Sequence, residues 1–259
     1  MGHADRSGPK GRRSGPSADS SGRPRDAGAG SGVGRGGRGK GKKSGDRGAS
    51  FDPDLRRPEP VESEIRVVGG EFRGRKIRYS GDPRTRPMKD ATREAIFNLV
   101  GGWLPERRVI DLFAGTGAVG IEGLSRGASH AHFIERHHPT ARIIRDNLET
   151  LGIADRASVD SADGFFWLRE WLASSPPADT AWVVFFCPPY DLFRSRGAEL
   201  KELIERTMNG APEGSVLLVE APDTLDPSWF PEWETWRFRP YQPALIGVWR
   251  PGAEPYYRS

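Results

Sequence analysis

Two short turns hold the residues of this 259-residue chain whose types and spacing could do chemistry. In the first, Asp111-Leu112-Phe113-Ala114-Gly115-Thr116-Gly117-Ala118-Val119-Gly120, an apolar run passes through a glycine-rich turn into a helical pattern. Gly115 and Gly117 let the backbone turn tightly and approach a ligand where any Cβ would intrude. Glu135 follows the next apolar run, about 20 residues beyond the turn, where a carboxylate can accept hydrogen bonds from both hydroxyls of a ribose. The glycine spacing also satisfies the dinucleotide pattern, so it does not choose the ligand. Asp111 does: a carboxylate at the strand end suits a cationic amino-acid group and repels a pyrophosphate. Asp163 follows a third apolar run, placed either to hydrogen-bond an adenine amine or to cap a helix starting at Gly164. A nucleoside carrying a cationic amino acid meets all of these demands, and S-adenosylmethionine is such a molecule. Phe113, Ala114, Thr116, Arg136 and Ala162 complete the candidate cofactor set.

The second turn is Cys187-Pro188-Pro189-Tyr190. It resembles the [Asn/Asp/Ser]-Pro-Pro-[Tyr/Phe] motif of amino-group methyltransferases. An exocyclic amine on a base is a poor nucleophile because its lone pair is delocalised. Acceptors at a strand end can take its N–H hydrogens and favour a geometry that frees the lone pair for in-line attack. The prolines fix the turn so that a backbone carbonyl faces the amine, and the aromatic ring stacks on the base. Cys187 departs from the motif, since a thiol is a weak acceptor. Three readings stay open: the Pro188 carbonyl carries the contact, Asp191 supplies the missing acceptor, or Cys187 attacks a pyrimidine ring covalently.

Elements that would position these turns can be read from periodicity. Strands are expected at 109–113, 130–135, 157–161, 182–186 and 215–220, with helices at 118–126, 139–151, 164–173 and 198–209 between them. That alternation predicts an α/β fold with a mostly parallel, seven-stranded sheet covered on both faces. The last two strand candidates, 235–238 and 244–249, are too close for a crossover helix and must close the sheet as an antiparallel hairpin. Upstream, 65–68 and 75–79 flank Gly69, Gly70 and Gly74 and read as a small β-hairpin extension spanning 65–80. Pro87 is expected to open a helix through Leu99, ended by Gly101-Gly102. The catalytic core is placed at 86–250 within a domain covering 61–259. The tryptophans at 167, 171, 229, 233, 236 and 249 are read as packing residues.

Residues 1–60 differ in kind. Residues 1–50 hold 12 Lys and Arg against 4 Asp, together with 15 of the 33 glycines, whereas residues 51–259 hold 27 Lys and Arg against 31 Asp and Glu. The basic balance therefore belongs to the tail. With so few apolar residues, that Gly/Ser/Pro-rich tail is expected to be disordered, able to touch phosphates but not to form a core. Within the body, 65–93 carries 9 Lys and Arg against 3 Asp and Glu. Arg66, Arg73, Arg75, Lys76, Arg86 and Arg93 are the candidates there for RNA phosphate contact, with bracing of a lid over the cofactor as the alternative for Arg86-Pro87 and Arg93. One cysteine excludes an intrachain disulfide, five scattered histidines build no metal site, and no stretch approaches the ~20 apolar residues of a membrane helix. A cytoplasmic monomer is the expectation.

The chain as a whole, from about Ile65 to Arg250, resembles the bacterial family that methylates guanine N2 in small-subunit ribosomal RNA, a class I Rossmann-like group. Besides the two turns, the resemblance includes Arg66-Val67-Val68-Gly69-Gly70-Glu71-Phe72-Arg73-Gly74-Arg75-Lys76, Arg84-Thr85-Arg86-Pro87, Asp90, Arg93-Glu94, Phe97-Asn98 and Gly120 to Ala128. Met88 and Ala91 stand where the family pattern Thr-x-Asp-Arg-x-Arg has its Thr and first Arg. The resemblance implies methyl transfer from S-adenosylmethionine, with ribosomal RNA or the assembling small subunit as partner. Adenine N6 methylation, or an RNA-binding assembly factor that has lost catalysis at Cys187, are the alternatives.

Overall fold

The computed structural model describes residues 63–82, 85, 87–176 and 179–255. The expected tail, 1–60, lies outside the described residues, as does Arg86. Strands β1 (Ser63–Arg66) and β2 (Lys76–Tyr79) pair antiparallel with Ile65 opposite Ile77, forming the anticipated hairpin. Helix α1 (Asp90–Val100) follows. It begins three residues later than Pro87, because the Met88 carbonyl is taken by the Arg93 guanidinium and Lys89 is extended.

The remaining elements alternate: β3 (Arg108–Asp111), α2 (Ala118–Ser125), β4 (His130–Ile134), α3 (His138–Leu151), β5 (Ala157–Asp160), α4 (Gly164–Ala173) and β6 (Trp182–Phe186). Then come α5 (Asp191–Ser195), α6 (Gly197–Gly210), β7 (Val216–Pro222), β8 (Arg237–Tyr241) and β9 (Ala244–Trp249). The five-residue α5 is too short to show a helical period, and the sequence did not announce it. Strand β8 also starts later than expected, because Thr235 closes a 3₁₀ turn. It tolerates Pro240 because an edge strand needs no outward N–H donor.

The sheet order is β5-β4-β3-β6-β7-β9-β8, parallel except where β9 pairs antiparallel with β7 and β8. Fully buried strands feed two cores. In β6, Val183 and Phe185 join the layer under α1, α2 and α3, while Trp182, Val184 and Phe186 join the layer under α4 and α6. Trp236 and Trp249 are buried, and Trp167, Trp171, Trp229 and Trp233 pack against that second layer, as packing residues should. The chain leaves β3 in one direction to form β4 and β5, then returns to place β6 on the other side of β3. Adjacent strands whose following helices cover opposite faces leave a crevice at their carboxyl ends, which is where α/β sheets bind ligands. Both chemistry-bearing turns follow these two strands.

The β1–β2 hairpin is tied to this core through α2 and α3. Ser125 receives the Glu71 amide on its carbonyl and the Phe72 amide on its hydroxyl, and that hydroxyl donates to the Gly69 carbonyl. Asn147 of α3 accepts the Arg78 amide and donates to the Arg78 carbonyl. At Gly70 (φ +77°) a Cβ would lie 1.9 Å from the Ser125 carbonyl oxygen, so only glycine allows this approach.

Candidate active site

On the cofactor side, the buried strand β3 ends at Asp111, two residues sooner than the hydrophobic run suggested, because the turn begins at Leu112. Gly115 and Gly117 both adopt positive φ, +52° and +76°. A Cβ on Gly117 would come within 3.0 Å of Ile144, and one on Gly120 within 2.2 Å of the Phe133 ring. The turn and the start of α2 are thus pressed onto α3 and β4. Asp111 is almost completely buried and its Oδ2 accepts the Gly120 amide at 3.0 Å. Burial pushes its carboxyl up to about 7, with the Glu135 carboxylate adding to the rise and the Gly120 hydrogen bond opposing it. Glu135 braces the same turn: Oε2 accepts from the Gly115 amide at 2.9 Å and Oε1 from the His137 amide at 2.7 Å.

The other cofactor candidates gather here with different burial. Ala114 and Thr116 are buried, Phe113 and Ala162 half-buried, and Arg136 exposed. Phe113 meets Phe165 edge-on, with ring centroids 5.7 Å apart. Asp163 caps α4: its Oδ1 accepts from the amides of Phe165 and Phe166. Its Oδ2 pairs with Arg196 at 2.9 Å, and that guanidinium lies 3.7 Å over the Phe165 ring. Helix capping, one of the two roles open from sequence, is therefore occupied.

On the target side, Pro188 is buried, Pro189 and Tyr190 are exposed, and Cys187 is half-buried. The Pro189 carbonyl accepts the Leu192 amide and the Tyr190 carbonyl the Phe193 amide, so the turn is fixed by the start of α5. Asp191 is the exposed first residue of α5. The acceptor that the sequence reading missed is Glu220. Its Oε1 accepts the Tyr190 hydroxyl at 3.1 Å. The register Phe186–Val219 between parallel β6 and β7 sets the next residues, Cys187 and Glu220, side by side. The only signal in the sequence was an acid at the end of an expected strand. Burial pushes the Cys187 thiol well above its ordinary range, and the Glu220 and Asp111 carboxylates push further. A neutral thiol is a poor nucleophile, which argues against the covalent reading.

The basic candidates divide. Arg66, Arg73, Arg75 and Lys76 are exposed on the hairpin; Arg66 pairs with Asp90 at 3.2 Å and Lys76 with Glu64 at 2.6 Å. Arg93 does not belong with them. Its side chain is 1% exposed, paired with Asp90 at 2.9 Å and with the fully buried Glu122 at 3.6 Å, and it donates to the carbonyls of Arg66 and Met88. The helix face that carries Arg93 points inward against α2, so this guanidinium braces the hairpin and cannot reach a phosphate. Among the described residues, no group of three or more His, Cys, Asp or Glu side chains could hold a metal ion, and no helix is long and apolar enough to cross a membrane.

A family model described as conserved hypothetical protein 95 matches residues 65–248. Ribosomal RNA small subunit methyltransferase D of Escherichia coli (strain K12) is 34% identical over 158 residues, spanning 61% of this chain and 72% of that protein. A Bacillus subtilis (strain 168) protein bearing an rRNA methyltransferase name is 35% identical over 127 residues, 49% of this chain and 67% of its own length. Among solved structures, an Escherichia coli protein named as a methyltransferase superposes with a TM-score of 0.57 at 28% identity, covering 74% of this chain and 100% of the other.

Proposed function

This chain belongs to the conserved hypothetical protein 95 family, and from that footing we propose that it transfers a methyl group from S-adenosylmethionine to the exocyclic N2 amine of a guanine in small-subunit ribosomal RNA. One observation carries the reading: a glycine cradle after β3 and a Pro-Pro-Tyr turn after β6 follow neighbouring parallel strands at the point where the strand order reverses, the place where α/β sheets bind ligands.

The residues fit the cofactor. The positive-φ glycines leave a cradle that side chains would fill, and a buried carboxylate at its base suits an ammonium group. Asp111 would hold the amino-acid end, and Glu135 the ribose. Each carboxylate oxygen has two lone pairs, so ribose hydroxyls can bind Glu135 without displacing the Gly115 and His137 amides. Asp163 can add an adenine amine in the same way. When bound, the cofactor supplies an electrophilic methyl group on a cationic sulfur. The chain's part is orientation. Tyr190 stacks the base, the Cys187-Pro188 segment directs its amine along the line of attack, and the exposed cations Arg66, Arg73, Arg75 and Lys76 hold the phosphates. In this reading the protein acts as a cytoplasmic monomer, on small-subunit ribosomal RNA or the assembling small subunit.

Purified chain, labelled S-adenosylmethionine and small subunits or their naked rRNA test this directly. Nucleoside analysis should yield N2-methylguanosine; N6-methyladenosine, or no labelled nucleoside, would overturn the reading.

The Asp111 carboxyl makes cofactor affinity depend on pH. A carboxyl held at about 7 is mostly protonated at pH 6 and ionised at pH 8, and an adjacent ammonium favours the ionised form. Binding therefore releases a proton below neutrality. S-adenosylhomocysteine should bind about tenfold more weakly at pH 6 than at pH 8. Calorimetry in buffers of differing ionisation enthalpy should show the released proton, and Asp111→Asn should abolish both effects. A pH-independent affinity in the unmodified protein would refute this role.

A further inference from the structure

We propose that Glu220 reads the target base, accepting from both N1–H and N2–H of guanine and supplying the acceptor that Cys187 does not. This rests on the guanine N2 reading above and deepens it. Three observations support it. The β6–β7 register sets Glu220 beside Cys187 at the carboxyl edge of the sheet, level with the motif that orients the amine. Its Oε1 is held at 3.1 Å by the hydroxyl of Tyr190, whose ring is the stacking surface, so the carboxylate and the base platform are one fixed unit. No described residue donates to Oε2.

The chemistry of the base then selects the ligand. Guanine presents two adjacent donors on its Watson–Crick edge, N1–H and the N2 amine, and an extruded base is read on that edge. An ionised carboxylate is acceptor-only, with two oxygens to match. Adenine presents an acceptor, N1, beside its amine, and a carboxylate repels it. Burial raises the Glu220 carboxyl above its ordinary range while the Tyr190 hydroxyl pulls it back. A half-buried charge with one donor in hand is a site completed by further donors. The thiol of Cys187 then needs only to be small and neutral.

The test uses 2-aminopurine, which keeps the N2 amine but turns N1 into an acceptor. Small-subunit RNA is prepared with guanine or 2-aminopurine at the mapped target position, and single-turnover methyl transfer is measured with the full chain. The unmodified protein should methylate guanine faster by on the order of 100-fold. Glu220→Gln offers a carbonyl to the amine and an NH₂ to N1, so it should lose guanine activity by a similar factor and abolish or invert the preference. S-adenosylhomocysteine affinity should stay unchanged. Equal rates on both bases with the unmodified protein, or an unaltered preference in Glu220→Gln, would overturn the role of Glu220. The first comparison needs no variant, so a misfolded Glu220→Gln protein does not blunt the test. Failure of the underlying reading shows differently, as no transfer to the guanine substrate at all.

Discussion

Tyr190→Ala is expected to lower single-turnover methyl transfer by about 100-fold or more while leaving S-adenosylhomocysteine affinity unchanged. Base stacking contributes about 1–3 kcal/mol, and loss of the stacking plane also misaligns the amine, which multiplies the effect. Tyr190 is 37% exposed and tethered through its hydroxyl to Glu220, so its removal also releases that carboxylate. Substitutions at Cys187 should be far milder. Cys187→Ser should keep activity, and Cys187→Asn should equal or exceed the unmodified protein by restoring the stronger acceptor. The contrast is diagnostic because its surroundings hold the half-buried Cys187 thiol well above its ordinary range. A Cys187→Ser protein that binds cofactor and RNA normally but cannot turn over would mean that the thiol does chemistry after all.

The largest loss of stability should come from Glu122→Leu, at about 3–5 kcal/mol in denaturant unfolding. Glu122 is fully buried in α2, where its carboxylate meets the Arg126 Nε at 2.9 Å, the Arg93 Nε at 3.6 Å and the Val68 amide at 2.9 Å. Removing it takes the shared carboxylate from two buried guanidiniums and removes one of the ties, at Val68, that hold the hairpin to the core. Replacing the partner as well, in Glu122→Leu with Arg93→Met, should recover part of the loss, since an apolar pair needs no compensation. A single variant within about 1 kcal/mol of the parent would show that the cluster is solvated.

Which parts were legible follows from how local their causes are. The glycine cradle could be read because its requirements lie within ten consecutive residues, a strand end followed by spaced glycines. Glu135 was found by its distance along the chain from that turn. Arg93 was misplaced among the RNA-contacting cations because its burial depends on Glu122, a helix and a strand away in sequence. Charge count alone cannot tell a guanidinium that faces solvent from one that pairs inside. Glu220 was overlooked for a related reason: only the pairing of β6 with β7 brings it to Cys187. Asp163 was left between two roles, and the helix end claims it through a contact two residues away. The overall α/β order was evident, whereas its boundaries moved where a local turn intervened, as at Leu112 and Thr235, or where a side chain took a backbone group, as Arg93 does at Met88.

The insertion of β9 between β7 and β8 also makes the strand that carries Glu220 depend on a segment far along the chain. Strand β3, which bears the cofactor turn, has both of its neighbours in β4 and β6. The strand that carries Glu220 has its outer neighbour supplied by residues 244–249, so a change that loosens that pairing reaches the base-reading side chain.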